Sequence, residues 1–205
     1  MIKKITLLSS LVLLIGIQIL NAQDYTTKAA FGQEELAIRE VRRNAITANI
    51  GWNGLTGIGV TYHNYVATQM SAELGVGVAA TGIKFGGRFS YLFSKKNFSP
   101  FVSAGFMYGL GSGNSEYDYE YNGSYKFSYT VGASPFAQIA IGIEQMSNNG
   151  FLFSANLGYA ILLTESNYEI TKGNPSNDEL RAMDIALSSG FVLEFSIGYA
   201  ISNKK

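Results

Sequence analysis

A chain of 205 residues is long enough for one domain, and nothing in its composition suggests two. Glycine (23), tyrosine (13) and phenylalanine (13) abound while proline numbers only 3, a balance that favours many strands and tight turns over a helical core. Acidic and basic side chains cancel at 15 each and cysteine is absent, which excludes a nucleic-acid footprint, a disulfide framework and a thiolate metal site.

Lys3 and Lys4 open a short basic segment, residues 7–20 are almost wholly apolar, and Ala22 supplies the small residue at which signal peptidase cuts. This pattern predicts a cleaved secretory signal peptide over residues 1–22, the competing reading being an uncleaved anchor. Cleavage removes Lys3 and Lys4 and leaves 13 basic against 15 acidic side chains. Beyond Ala22 no run approaches the ~18 apolar residues of a membrane helix. Residues 23–43 read as a polar periplasmic segment. Within it, EELAIREVRR (34–43) suits a short helix, with Glu leading and Arg trailing as the helix dipole favours. A mobile tail is the preferred reading here, and a small plug or docking helix the sharper one.

From Asn44 the period changes to two. Ile46, Ala48, Ile50 and Trp52 alternate with Thr47, Asn49, Gly51 and Asn53. The same alternation returns over 58–62, 70–78, 85–93, 102–110, 137–143, 153–161 and 193–201, giving eight strands near the ~9–11 residues of a tilted membrane strand. Alternation alone also fits a soluble sheet. The side that holds the bulk decides between them. An eight-stranded barrel has an interior only just wide enough for side chains. The large apolar residues must therefore face outward to lipid, and the glycines, serines and charges inward. The expected fold is all-β: an eight-stranded antiparallel up-and-down transmembrane β-barrel over residues 44–205.

The connections agree. With both termini periplasmic, the long segments 111–135 and 164–190 are the third and fourth loops on the outer side, while inner turns are short. Aromatics sort by height into two expected belts: Tyr65, Tyr91, Phe93, Phe98, Phe101, Phe151 and Tyr199 low, and Trp52, Phe85, Tyr108, Phe136, Tyr159 and Phe191 high.

The leader ending Asn21-Ala22-Gln23, the stretch SKKNFSPFVSAGFMYG (94–109), the strand AIGIEQ (140–145) and the final FSIGYAI (195–201) resemble the small outer-membrane β-barrels of Gram-negative bacteria. That group includes the OmpA-, OmpX- and OmpW-type barrel domains. The similarity runs over nearly the whole mature chain, and its motifs encode membrane folding. It implies residence in the outer membrane, contact with outer-membrane lipid and lipopolysaccharide, and delivery by the barrel-insertion machinery. Many such barrels end on an aromatic that this machinery reads; here Ser202 to Lys205 follow, so Tyr199 or Ile201 would serve. No peptidoglycan-binding domain is read after the barrel, so wall tethering is not expected.

The expected lumen holds Glu73, Lys84, Arg88, Glu144 and Glu194, with Asn49, Gln138 and Asn156 nearby. Buried charges need partners, and Lys84 and Arg88 could both reach Glu73. Glu194 belongs near the outer end and Glu144 near the inner one. A salt-bridged, closed interior is expected. No cofactor, metal site or catalytic residue is expected: the sole histidine, His63, points inward near the periplasmic end of its strand, and no spacing singles out Ser71, Ser90 or Ser103. In the third outer loop Tyr117, Tyr119 and Tyr121 alternate with acids, Asn122-Gly123 suits a type I′ turn, and Tyr125, Phe127 and Tyr129 return. This predicts a hairpin prolonging two barrel strands. Its tyrosines suit either recognition or simple cross-strand packing. The fourth loop, 165–184, is polar and expected to be mobile. Two functions stay open: a structural or surface-interaction barrel acting through loops 111–135 and 164–190, and a barrel that transports a small or hydrophobic solute by a gated or lateral path.

Overall fold

The computed structural model describes residues 37–113, 115–121 and 124–202. The expected signal peptide and the Asn122-Gly123 turn lie outside them, as do the side chains of Tyr121 and Tyr125. The described chain enters as a single helical turn, α1 (Ile38–Val41), and continues through β1 (Asn44–Trp52), β2 (Ile58–Ala67), β3 (Met70–Ala79), β4 (Gly82–Leu92) and β5 (Phe98–Gly109). Then come β6 (Tyr117–Tyr121), β7 (Ser124–Val131), β8 (Ser134–Met146), β9 (Phe151–Leu162), β10 (Tyr168–Gly173), α2 (Asn177–Leu187) and β11 (Gly190–Ile201).

Eight of these strands close into an antiparallel barrel in the order β1-β11-β9-β8-β5-β4-β3-β2. It is the up-and-down barrel that the alternation predicts, and closure leaves it no free edge. The faces also fall as expected. Phe89 is 68% exposed, whereas its neighbour Arg88 is 2%. The exterior is a continuous band of Ile, Val, Leu, Phe and Tyr, and the interior is glycine, serine, threonine and charge, the inverse of a water-soluble barrel.

The lumen is layered. At the end that carries the termini, Ala45, Tyr65, Leu92, Phe101, Met146, Leu152 and Ala200 form one apolar layer, with Ile38 of α1 packed on it. At the other end Leu55, Met107, Phe136, Ala160 and Val192 form a second. Buried polar side chains fill the space between. Three aromatics expected in the outer belts therefore belong inside: Tyr65, Phe101 and Phe136 are all nearly fully buried. Strand parity is the reason, since each sits one residue out of step with the outward set. Gly142 makes room for one of them, because a Cβ there would lie 2.6 Å from the Phe101 ring.

The outer loops differ from expectation. The hairpin β6–β7 forms, but it does not prolong β5 and β8; it joins β10 in a separate three-stranded sheet of order β10-β7-β6. Gly111 causes the break. Its φ of 77° turns the chain off the β5 ladder, its N–H donates to Thr81 at 3.0 Å, and a Cβ would meet the Val131 carbonyl at 2.3 Å. The fourth loop carries regular structure, the strand β10 and the helix α2. Ser176 caps α2, accepting from the Glu179 N–H while the Glu179 side chain accepts from the Ser176 N–H. Met183 and Leu187 of α2 then pack with Phe127 and Val131 into a third small core above the barrel.

Candidate functional site

Two sites stand out, one across the lumen and one on the outer cap. In the lumen the register lines up His63 with Glu73 and Glu73 with Arg88, so β2, β3 and β4 present a row of three at one height. Arg88 donates from Nη2 to Glu73 Oε2 at 2.6 Å and from Nη1 to Glu194 Oε1 at 2.8 Å. Glu73 also accepts from Ser90 at 3.0 Å. Glu194 takes the Leu55 N–H at 2.6 Å and Asn156 Nδ2 at 2.9 Å. A buried guanidinium is thus shared by two carboxylates whose remaining lone pairs are used, which is what makes buried charge tolerable.

The Leu55 contact reveals a feature that the strand pattern hides. The first outer loop folds into the barrel mouth, with Leu55 fully buried in the outer apolar layer. Gly54 must be small there, since a Cβ would meet the Glu194 carboxylate at 2.3 Å. An apolar residue inside an otherwise polar turn was the available signal.

Lys84 does not join the Glu73 pair. Its ammonium donates to the Gly54 carbonyl at 2.8 Å and sits 5.2 Å from the Phe136 ring. Its place on β4 near the outer mouth explains this: Lys84 pairs in register with Gly77 of β3, whereas Glu73 pairs with Arg88.

At the inner end Glu144 binds a residue the sequence reading left on a tail. Arg39 of α1 is buried and donates from Nε to Glu144 Oε1 at 2.9 Å. It also donates from Nη1 to the Lys96 carbonyl at 2.8 Å. Tyr65 donates to Glu144 Oε2 at 2.9 Å from the opposite wall. Residues 37–43 consequently cap the lumen, as a plug would. The one-turn helix and its Arg were visible in the sequence, but the carboxylate that draws it in lies 105 residues away.

His63 shares its Nε2 with the Thr47 hydroxyl at 2.9 Å, and its Nδ1 lies 3.9 Å from Glu73. Of the serines, Ser90 is held by Glu73, Ser103 donates to the Ala140 carbonyl at 3.4 Å, and the Ser71 hydroxyl is buried without a protein partner. Asn49 and Thr61 hydrogen-bond closely beside them. Gln138 is buried with neither end of its amide partnered by protein.

On the cap, Tyr117 pairs with Tyr129, ring centroids 5.5 Å apart, and Tyr119 stacks on Phe127 at 4.9 Å. Packing and display coexist: Phe127 is fully buried, while Tyr117 and Tyr119 stay exposed. With Tyr129 and α2 residues Glu179 and Met183 they line a groove of about 430 Å³. Burial, and then the neighbouring Tyr117, raise the Tyr129 phenol. Tyr168 donates to Asp184 at 2.8 Å and ties β10 to α2. Lys172 pairs with Glu116 at 2.8 Å and ties β10 to the segment leading into β6. Sequence reasoning missed α2 although Ser176 and Glu179 carry the spacing of a reciprocal cap.

No protein-family model matches the chain, and no curated protein matches it. Among solved structures it is similar to the crystal structure of Acinetobacter baumannii CarO, with 10% identity and a TM-score of 0.41, over 80% of this chain and 99% of that one.

Proposed function

We propose that this protein is an outer-membrane barrel of a Gram-negative cell, with a closed lumen, that serves as a rigid base for a surface-recognition cap. The apolar exterior band supports the membrane setting: strands of 9–13 residues carry it around the whole wall, and a hydrocarbon surrounding is the one in which such a band is at rest. The observation that carries the functional reading is the contrast between lumen and cap. The lumen is crossed by charge-assisted hydrogen bonds and closed at both ends by apolar layers. The third and fourth outer loops, by contrast, fold on a core of their own and display tyrosines along a groove. Tyrosine offers contact area at low entropic cost, which suits recognition. The lipopolysaccharide layer is the first surface such a cap meets, and no catalytic step belongs to this reading.

Planar-bilayer recording of the refolded protein separates this reading from transport. Recognition with a closed lumen predicts no stable discrete openings; openings that disappear in Arg88→Met would favour transport. Retention of purified lipopolysaccharide on the immobilised barrel, reduced in Tyr117→Ser/Tyr119→Ser, supports the groove as the contact. Equal retention by both proteins removes the groove from that role.

A further inference from the structure

A second cavity lies at the rim of the barrel, beneath α2 and next to the tyrosine groove, with which it shares Ala79, Ala80 and Ala186. It measures about 330 Å³, at the small end of the ~300–1,000 Å³ of ligand pockets. Its walls are mainly apolar: Trp52 and Ile58 from the first outer hairpin, Val78 and Ala80 from the second, Phe136 from β8 and Ala186 from α2. Three polar side chains interrupt them, and each brings a donor. Lys84 is 2% exposed, and among the described residues its ammonium has one hydrogen-bond acceptor, the Gly54 carbonyl, and no ion-pair partner; the Glu194 carboxylate acts on its charge from farther off. The Thr81 hydroxyl and Asn53 Nδ2 are both buried with no protein partner. Thr81 stands close to Lys84, because its hydroxyl oxygen would lie 2.6 Å from a Cβ on Gly109, the residue paired with Lys84 in register. No carboxylate is among the lining residues.

A buried cation and two unpaired donors in an apolar cleft are costly unless an acceptor completes them. The geometry points to a binding site for a small anionic amphiphile, whose carboxylate or phosphate is held by Lys84, Thr81 and Asn53 while its hydrocarbon body lies along Trp52, Ile58 and Val78. Lys84, Thr81 and Asn53 line this cavity and not the neighbouring tyrosine groove, so the site does not rest on recognition by that groove. A free short-chain acid and the phosphate end of a membrane lipid share this chemistry.

Trp52 is the only tryptophan of the chain and lines the cleft, so its fluorescence reports occupancy directly. The full-length barrel in nonionic detergent is titrated with hexanoate, hexyl phosphate and hexylammonium. Saturable change is expected with one or both anions and none with the cation, with affinity about tenfold weaker in Lys84→Met. Heat-modifiable gel mobility checks that this variant folds, and Thr81→Val, expected to weaken binding about threefold, replaces it if it does not. Saturation by hexanoate alone assigns a free acid, and saturation by hexyl phosphate alone a lipid phosphate. No saturable change with either anion, an equal response to hexylammonium, or undiminished affinity in the folded variant overturns the site.

Discussion

Arg88 and Glu194 face each other across the full width of the barrel. In the closed strand order β4 and β11 stand four places apart, directly opposite, and Arg88 Nη1 reaches Glu194 Oε1 at 2.8 Å. The same relation recurs lower down between Tyr65 on β2 and Glu144 on β8, at 2.9 Å. Two struts at two heights thus tie opposite walls together.

Replacing Arg88 by methionine keeps the bulk and leaves Glu73 and Glu194 buried without their counter-charge. The expected cost is about 3–5 kcal/mol, the range for breaking one side of a buried pair. Urea unfolding in lipid vesicles, followed by gel mobility, measures it. A cost below about 1 kcal/mol would show that the two carboxylates are compensated elsewhere.

Arg39 is buried by its bonds to Glu144 and the Lys96 carbonyl, so trypsin should spare the peptide bond after it in the folded protein. Glu144→Gln removes the charge but keeps the shape. Cleavage after Arg39 should then accelerate about tenfold, equivalent to ~1.4 kcal/mol of easier local opening. Mass spectrometry of the digest locates the cut, and an unchanged rate would mean that Glu144 does not hold the inner plug.

Leu55 fills the outer apolar layer from the first loop. Leu55→Ala should cost about 2–5 kcal/mol, as large-to-small changes in packed interiors do, with no change in the strand content seen by circular dichroism. A loss under about 0.5 kcal/mol would indicate that the loop seats in the mouth without support from its side chain.

The cap carries a pH-dependent contact. Burial, then the hydrogen bond to Asp184 and its charge, push the Tyr168 phenol up to about 12 from its ordinary value near 10. A raised phenol favours the neutral form in the folded state. The contribution of the Tyr168–Asp184 contact is therefore complete below about pH 10 and is lost as the pH climbs towards 12. Ultraviolet titration of wild type against Tyr168→Phe isolates this phenol. Asp184→Asn should move it down, and a titration unmoved by that change would break the assignment.

The strand alternation by itself determined the barrel, its strand number and the sense of its faces, because side-chain direction in a strand is a local property with a period of two. Glu73 and Arg88 were also legible as partners, since adjacent strands joined by a short turn place them in register. What only the tertiary structure decided depends on closure. Lys84 has the charge to pair with Glu73 but sits beside Gly77, two inward-facing positions away towards the mouth, and so meets the Gly54 carbonyl instead. Arg39 finds Glu144, and Leu55 finds Glu194, across 105 and 139 residues of chain. No local pattern encodes such meetings; they exist because closure sets β11 beside β1, with Glu194 paired to Gly51 just ahead of the first loop, and because α1 reaches the end of the lumen where Glu144 waits. The fourth loop is the intermediate case. Its capping box was written in Ser176 and Glu179, but its helix acquires a face to bury only once β7 and β10 stand beside it.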